Sequence, residues 1–179
     1  MIKDSPVIEQ TLNWVRSFII EYSICPFAKA VVNKGTLRTV VSEQKKQALA
    51  LEDLMTEIHY LEEHPAVDTT LLVFPHAFKD FFNYLDFIDN AERLMQDLEY
   101  EGVYQLASFH PDYYFADTEP DDVSNYTNRS PYPMIHLLRE EQLDKAITAY
   151  GDTSTIPEKN IKTMRELGVG KIKKIMESL

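Results

Sequence analysis

Residues 69–74 read Thr69-Thr70-Leu71-Leu72-Val73-Phe74. The run is uncharged, rich in β-branched side chains and six residues long. That combination predicts a strand buried in the centre of a sheet. Pro75 closes it. Helical periodicity flanks it on both sides. Upstream, Ser42 is placed to cap a helix whose apolar face is Ala48, Leu51, Met55, Ile58 and Leu61, and which stops at His64-Pro65 because the residue before proline is pushed out of the helical region. Downstream, a long helix is predicted from about Ala77, with Phe81, Leu85, Ile88, Met95 and Leu98 on one face and Gly102 at its end. Leu37 to Val41 and Val103 to Phe109 read as the strands before and after this pair of helices. Strands alternating with helices imply parallel, right-handed crossovers.

Further out, Ser5-Pro6 reads as an N-cap followed by a first-turn proline. Ile8, Leu12, Val15, Ile19 and Tyr22 then mark one helical face running to about Ile24. Pro26 opens a short helix through Val32, ended by Gly35. Pro133 to Leu138 reads as a fourth strand, which the segment from His110 to Pro131 returns antiparallel. Glu140 to Tyr150 is helical with Leu143, Ala146 and Ile147 inward, and Pro157 starts a last helix broken near Gly168 and Gly170. The expected architecture is α/β: a single-domain sandwich over residues 1–179, with a four-stranded mixed sheet, flanking helices, N-terminal and C-terminal helices and a long ordered loop at about 110–131.

At 179 residues the chain buries roughly 70% of its unfolded surface without needing a disulfide or a metal. Its 18 Lys and Arg against 29 Asp and Glu give a net charge of −11, which argues against nucleic acid or an anionic membrane as partner. One cysteine, Cys25, excludes an internal disulfide and a multi-cysteine zinc site. No apolar run approaches the roughly 20 residues of a membrane span. The start, with Lys3, Asp4 and Pro6, lacks the pattern of a secretory signal. A cytoplasmic protein is expected. The six bases between Lys159 and Lys174 read as a solvated helix face.

Residues 110–133, HPDYYFADTEPDDVSNYTNRSPYP, are a long connection without regular structure, and such loops are often functional. His110 stands at a strand end, where open α/β sheets place ligand contacts, and is a candidate general base with Asp117 or Asp122 as its acidic partner. Arg129 offers a planar fork for a carboxylate or phosphate, or else pairs with Asp121 or Asp122 and staples the loop. Asn125, Asn128, Ser130 and Arg139 are candidate helpers. Asp122 is equally placed to cap a turn. His136 lies on the strand face of Met134 and Leu138. His110 with Asp112 and nearby carboxylates makes an oxygen-rich divalent-metal site conceivable, yet no metal-ligand spacing signature is present. Tyr113, Tyr114, Tyr126 and Tyr132 suit a protein interface.

Cys25-Pro26-Phe27-Ala28 puts a thiol just before a helix start, where the dipole favours the thiolate. The string resembles the active-site string of glutaredoxins and omega-class glutathione transferases. It departs from them in having a helical pattern before the cysteine, no second cysteine and no counterpart of their cis-proline loop. With Phe109-His110-Pro111, Asn128-Arg129-Ser130-Pro131-Tyr132-Pro133 and His136-Leu137-Leu138-Arg139-Glu140, the same string resembles a widespread bacterial family classed as a domain of unknown function. The resemblance implies a small single-domain protein and carries no activity. Read from the residues, the chain is an enzyme or binder for a small anionic metabolite held through residues 110–139. The alternatives are a non-catalytic protein-binding or assembly module, metal-assisted hydrolysis at His110, and thiol chemistry at Cys25 with His110 or His136 as base. The residues name no cofactor and no oligomeric state.

Overall fold

The computed structural model describes residues 5–179, so Lys3 and Asp4 lie outside the described residues. The central run forms β2 (Thr69–Val73), every residue of which is buried. It pairs in parallel with β1 (Leu37–Val41) and antiparallel with β4 (Met134–Arg139), which in turn pairs antiparallel with β3 (Tyr104–Phe109). The strand order is β1-β2-β4-β3. The three successive strands are therefore mutually parallel, and the returning β4 is inserted between β2 and β3.

Alternation divides the sheet into two faces. Leu72, Phe74, Ile135 and Leu137 pack against α3 (Gln47–Glu63) and α4 (Phe81–Asp97). Leu71, Val73, Met134 and Phe109 face the opposite layer. That layer contains α1 (Pro6–Trp14), which continues as a π-helical stretch over Val15–Ile20. It also holds α2 (Ala28–Lys34), α5 (Glu140–Tyr150) and α6 (Ile156–Glu177). The mixed four-stranded sheet with flanking helices is the architecture expected. No helix among the described residues is long and apolar enough to cross a membrane.

Several boundaries differ from the periodicity reading. Ser42 does not cap α3: its hydroxyl donates to Asp53 at 2.6 Å, and the helix begins at Gln47. The buried face of α3 is Ala50, Leu54, Glu57, Ile58 and Leu61, with Ala48 exposed. Glu57 enters this face because Arg38 meets it in a fork at 2.7 and 3.1 Å, which compensates the buried carboxylate. α4 begins at Phe81, where Asp80 accepts from the Asn83 N–H at 2.9 Å. Its buried face uses Tyr84, Phe87 and Ala91 in place of Leu85 and Leu98. The Tyr84 hydroxyl donates to Met134 O at 2.7 Å and accepts from the Phe109 N–H at 3.0 Å, fastening α4 to the ends of β3 and β4. The terminal helix is broken at Gly168, whose φ of 71° and ψ of 153° suit glycine alone. All six bases between Lys159 and Lys174 are exposed.

Candidate functional site

The polar side chains of the 110–133 segment turn inward on the loop itself. His110 is fully buried; its Nε2–H donates to Phe78 O at 2.8 Å, and its Nδ1 accepts from the Asp112 N–H at 3.0 Å. Burial lowers its pKa from the ordinary range, opposed by the Phe78 carbonyl and by Asp112 and Asp80. With both nitrogens engaged, this ring braces the strand end and the left-handed Phe78, whose φ is 58°. Asn125, also fully buried, accepts from Phe115 N–H and Thr118 and donates to Glu119 O. Ser130 donates to Tyr132 O at 2.6 Å. Asp122 accepts from the Ser124 N–H and hydroxyl, which hold its carboxyl below the usual carboxylate range, and so caps the 3-10 turn Val123–Thr127. Asp112 and Asp117 are exposed. Among the described residues, no three or more His, Cys, Asp and Glu side chains gather as a metal site.

Both arginines are held by carbonyls. Arg129 donates from Nε to Tyr113 O at 3.0 Å and from Nη2 to Pro120 O at 2.6 Å, and its guanidinium lies 4.6 Å from the Tyr126 ring centre. It staples the loop without meeting Asp121 or Asp122. Arg139 donates to Leu61 O, His64 O and Val67 O and to the Tyr104 hydroxyl. That places a cation on the last carbonyls of α3, where the helix dipole favours it. Tyr113 and Tyr114 pack on Phe81 at 5.4 and 5.1 Å, and the Tyr132 hydroxyl reaches Gln10 at 2.5 Å.

A cavity of about 750 Å³ lies on the other side of the sheet. Its floor includes Thr69 and Leu71 of β2, His136 and Leu138 of β4, and Ala107 and Phe109 of β3. Leu71 and Ala107 are the cross-strand neighbours of His136, and the small Ala107 leaves room beside the ring. Trp14, Val15 and Ile19 form one wall, where the π-helical stretch begins. Phe27 and Tyr150 meet edge to face at 5.7 Å and join the α2 end of the cavity to α5. α5 has no buried residue; its half-buried Leu143 and Ala146 turn to the cavity.

His136 is the polar centre of this floor. Thr69 Oγ1 donates to Leu137 O at 2.6 Å and lies 2.7 Å from His136 Nε2. The one hydroxyl proton is committed to the carbonyl, so the network assigns Nε2–H as donor and leaves the Nδ1 lone pair without a partner among the described residues. Protein surrounds the ring, and burial lowers its pKa to about 4. The imidazole is thus neutral across the physiological range, and the accessible surface it retains opens on the cavity. Trp14, 1% exposed, has an indole Nε1–H with no acceptor among the described residues and no surface open to the cavity. Cys25 also lines the cavity. Burial raises its thiol pKa and outweighs the Phe27 and Ala28 N–H groups that favour the thiolate. At neutral pH it is a thiol.

The structure therefore brings together Cys25, Asn128, His136 and Arg139 among the residues singled out by sequence, and leaves His110, Asp117, Asp122, Asn125, Arg129 and Ser130 outside the cavity. Trp14, Thr69 and Ala107 had not been singled out. The signal for Thr69 was present in the register: a threonine at the start of an apolar strand, on the face of Leu71 and Val73, needs a polar neighbour on that face.

A family model described as "Protein of unknown function (DUF1415)" matches residues 6–174. No curated protein and no solved structure matches the chain.

Proposed function

From a chain that belongs to the DUF1415 family, whose description assigns no chemistry, we propose a protein that binds a small, mainly apolar molecule in the cavity between the sheet and α1, α2 and α5. The observation that carries this is a neutral histidine with an open lone pair on the floor of an apolar cavity. The volume of about 750 Å³ falls in the range of small-molecule sites, roughly 300–1,000 Å³, which pair apolar walls with a few placed polar groups. An anionic metabolite fits this floor poorly. Arg129 and Arg139 spend their donors on carbonyls, and an anion brought against the neutral imidazole loses hydration that the ring cannot offset with a charge, the cations of the lining being Lys34, Arg139 and Lys145. An imidazole whose conjugate acid has a pKa of about 4 is also a weak proton acceptor at neutral pH. His136 accordingly serves recognition in this reading, as a hydrogen-bond acceptor.

The test is titration with the neutral fluorophore N-phenyl-1-naphthylamine. Saturable enhancement at one site per chain is expected. Ala107→Phe, which fills the space beside His136, should abolish it while leaving the far-UV circular dichroism unchanged. Equal binding by the variant, or enhancement that never saturates, would overturn the proposal.

A further inference from the structure

One open group on the cavity floor defines what a ligand must offer. His136 Nδ1 is an acceptor with no donor among the described residues, whereas the unpaired Trp14 Nε1–H has no surface open to the cavity. The His136 ring lies 6.4 Å from that of Phe109, centre to centre. A hydrocarbon would leave Nδ1 unsatisfied, and a buried acceptor left unpaired opposes binding. A carboxylate has no proton for the imidazole. An uncharged hydroxyl has the O–H that the imidazole needs. The walls select the rest of the molecule. Phe27, Phe109 and Tyr150 are among the cavity lining, and aromatic rings favour a flat aromatic body in offset or edge-to-face contact.

We infer that the ligand is an uncharged aryl alcohol, a phenol in chemical class, whose hydroxyl donates to His136 Nδ1. This rests on the cavity reading above and deepens it. It differs from a thiol-directed electrophile, since Cys25 is a thiol and not a thiolate, and in this inference its sulfur is only part of the wall.

Three probes of one shape and different polar ends test it: 4-hydroxybiphenyl, 4-methylbiphenyl and biphenyl-4-carboxylate, each titrated into the full chain at neutral pH by calorimetry. The hydroxyl compound should bind at least about tenfold tighter than the methyl compound, the effect of one satisfied against one unsatisfied hydrogen bond, and the carboxylate should be weakest. In His136→Phe the methyl compound should keep its affinity while the preference for the hydroxyl disappears; retained methyl binding also reports that the variant is folded. Equal affinity for hydroxyl and methyl compounds in the wild type, or tightest binding of the carboxylate, overturns the inference and leaves the cavity reading standing. Failure of all three to bind, together with failure of the neutral fluorophore, overturns the cavity reading as well.

Discussion

Replacing His136 by phenylalanine should flatten the acid side of the stability curve. The imidazole takes its proton at about 6.5 in the unfolded chain and at about 4 in the folded one. Between those values the unfolded state holds more protons, so stability is highest above the unfolded pKa and falls as pH drops towards the folded one. The full displacement corresponds to about 3 kcal/mol, of which about 2 kcal/mol is expressed between pH 7 and pH 5. Water entering the cavity screens the ring, so a loss of about 1–2 kcal/mol is the working figure. Urea unfolding of both proteins at pH 7 and pH 5 measures it. Wild type should lose that much more than His136→Phe, while the two should differ little at pH 7, because Thr69 keeps its bond to Leu137 O. His110, lowered in the same direction, contributes equally to both and cancels. So do Cys25, Lys34, Asp68, Arg139, Lys145 and Tyr150 around the cavity. An equal acid loss in the two proteins would refute the assignment, as would a carbon-13 titration of the His136 ring with a midpoint near 6.5.

Other changes separate scaffold from site. Arg139→Ala should cost about 2–4 kcal/mol in urea unfolding, since it strips the last carbonyls of α3 of a charged donor. Arg139→Lys should recover less than half, because one ammonium cannot span Leu61, His64 and Val67. Arg129→Ala should cost about 1–2 kcal/mol and speed protease cleavage between Tyr113 and Asp121, with no change in fluorophore affinity. A fall in affinity matching that of Ala107→Phe would make Arg129 a ligand anchor instead. Cys25 should react with iodoacetamide more slowly than a free thiol at pH 8, still accelerate above that pH, and be protected by the fluorophore. Reaction at the free-thiol rate would refute the raised pKa.

The elements were legible where one periodicity dominated. The Thr69–Phe74 run could only be a central strand, and alternation along Met134–Leu138 put His136 on the face it occupies. The face of α4 was misplaced because the helix starts at Phe81, four residues past the expected point, and because Tyr84 and Phe87 are as apolar in effect as the leucines they replace. Ser42 looked like a cap because a serine before a helical pattern normally is one. Its actual partner, Asp53, lies one helical turn and more inside α3, a tertiary contact that local spacing does not encode. The cavity was legible only in fragments. Trp14, Cys25, Ala107 and His136 lie on four separate elements, and only the strand order β1-β2-β4-β3 collects them.

The loop misled for a physical reason that applies beyond this chain. A segment outside ladders and long helices must still satisfy its buried N–H and C=O groups, and side chains are what it has to do so. Arg129 serves Tyr113 O and Pro120 O, Asn125 serves Phe115 N–H and Glu119 O, Asn128 serves Ser108 O, and His110 serves Phe78 O and Asp112 N–H. The chemical density that made residues 110–133 look like a site is what an irregular, ordered loop requires. The strand beside it needs no such help, since its backbone is paired with β2 and β3. A polar side chain there is not required by the backbone, so an open valence on it is informative. Among the described residues, His136 has one lone pair more than the fold uses. Unmet hydrogen-bonding capacity in an apolar wall, more than a concentration of polar residues, marks the place where this protein has room for another molecule.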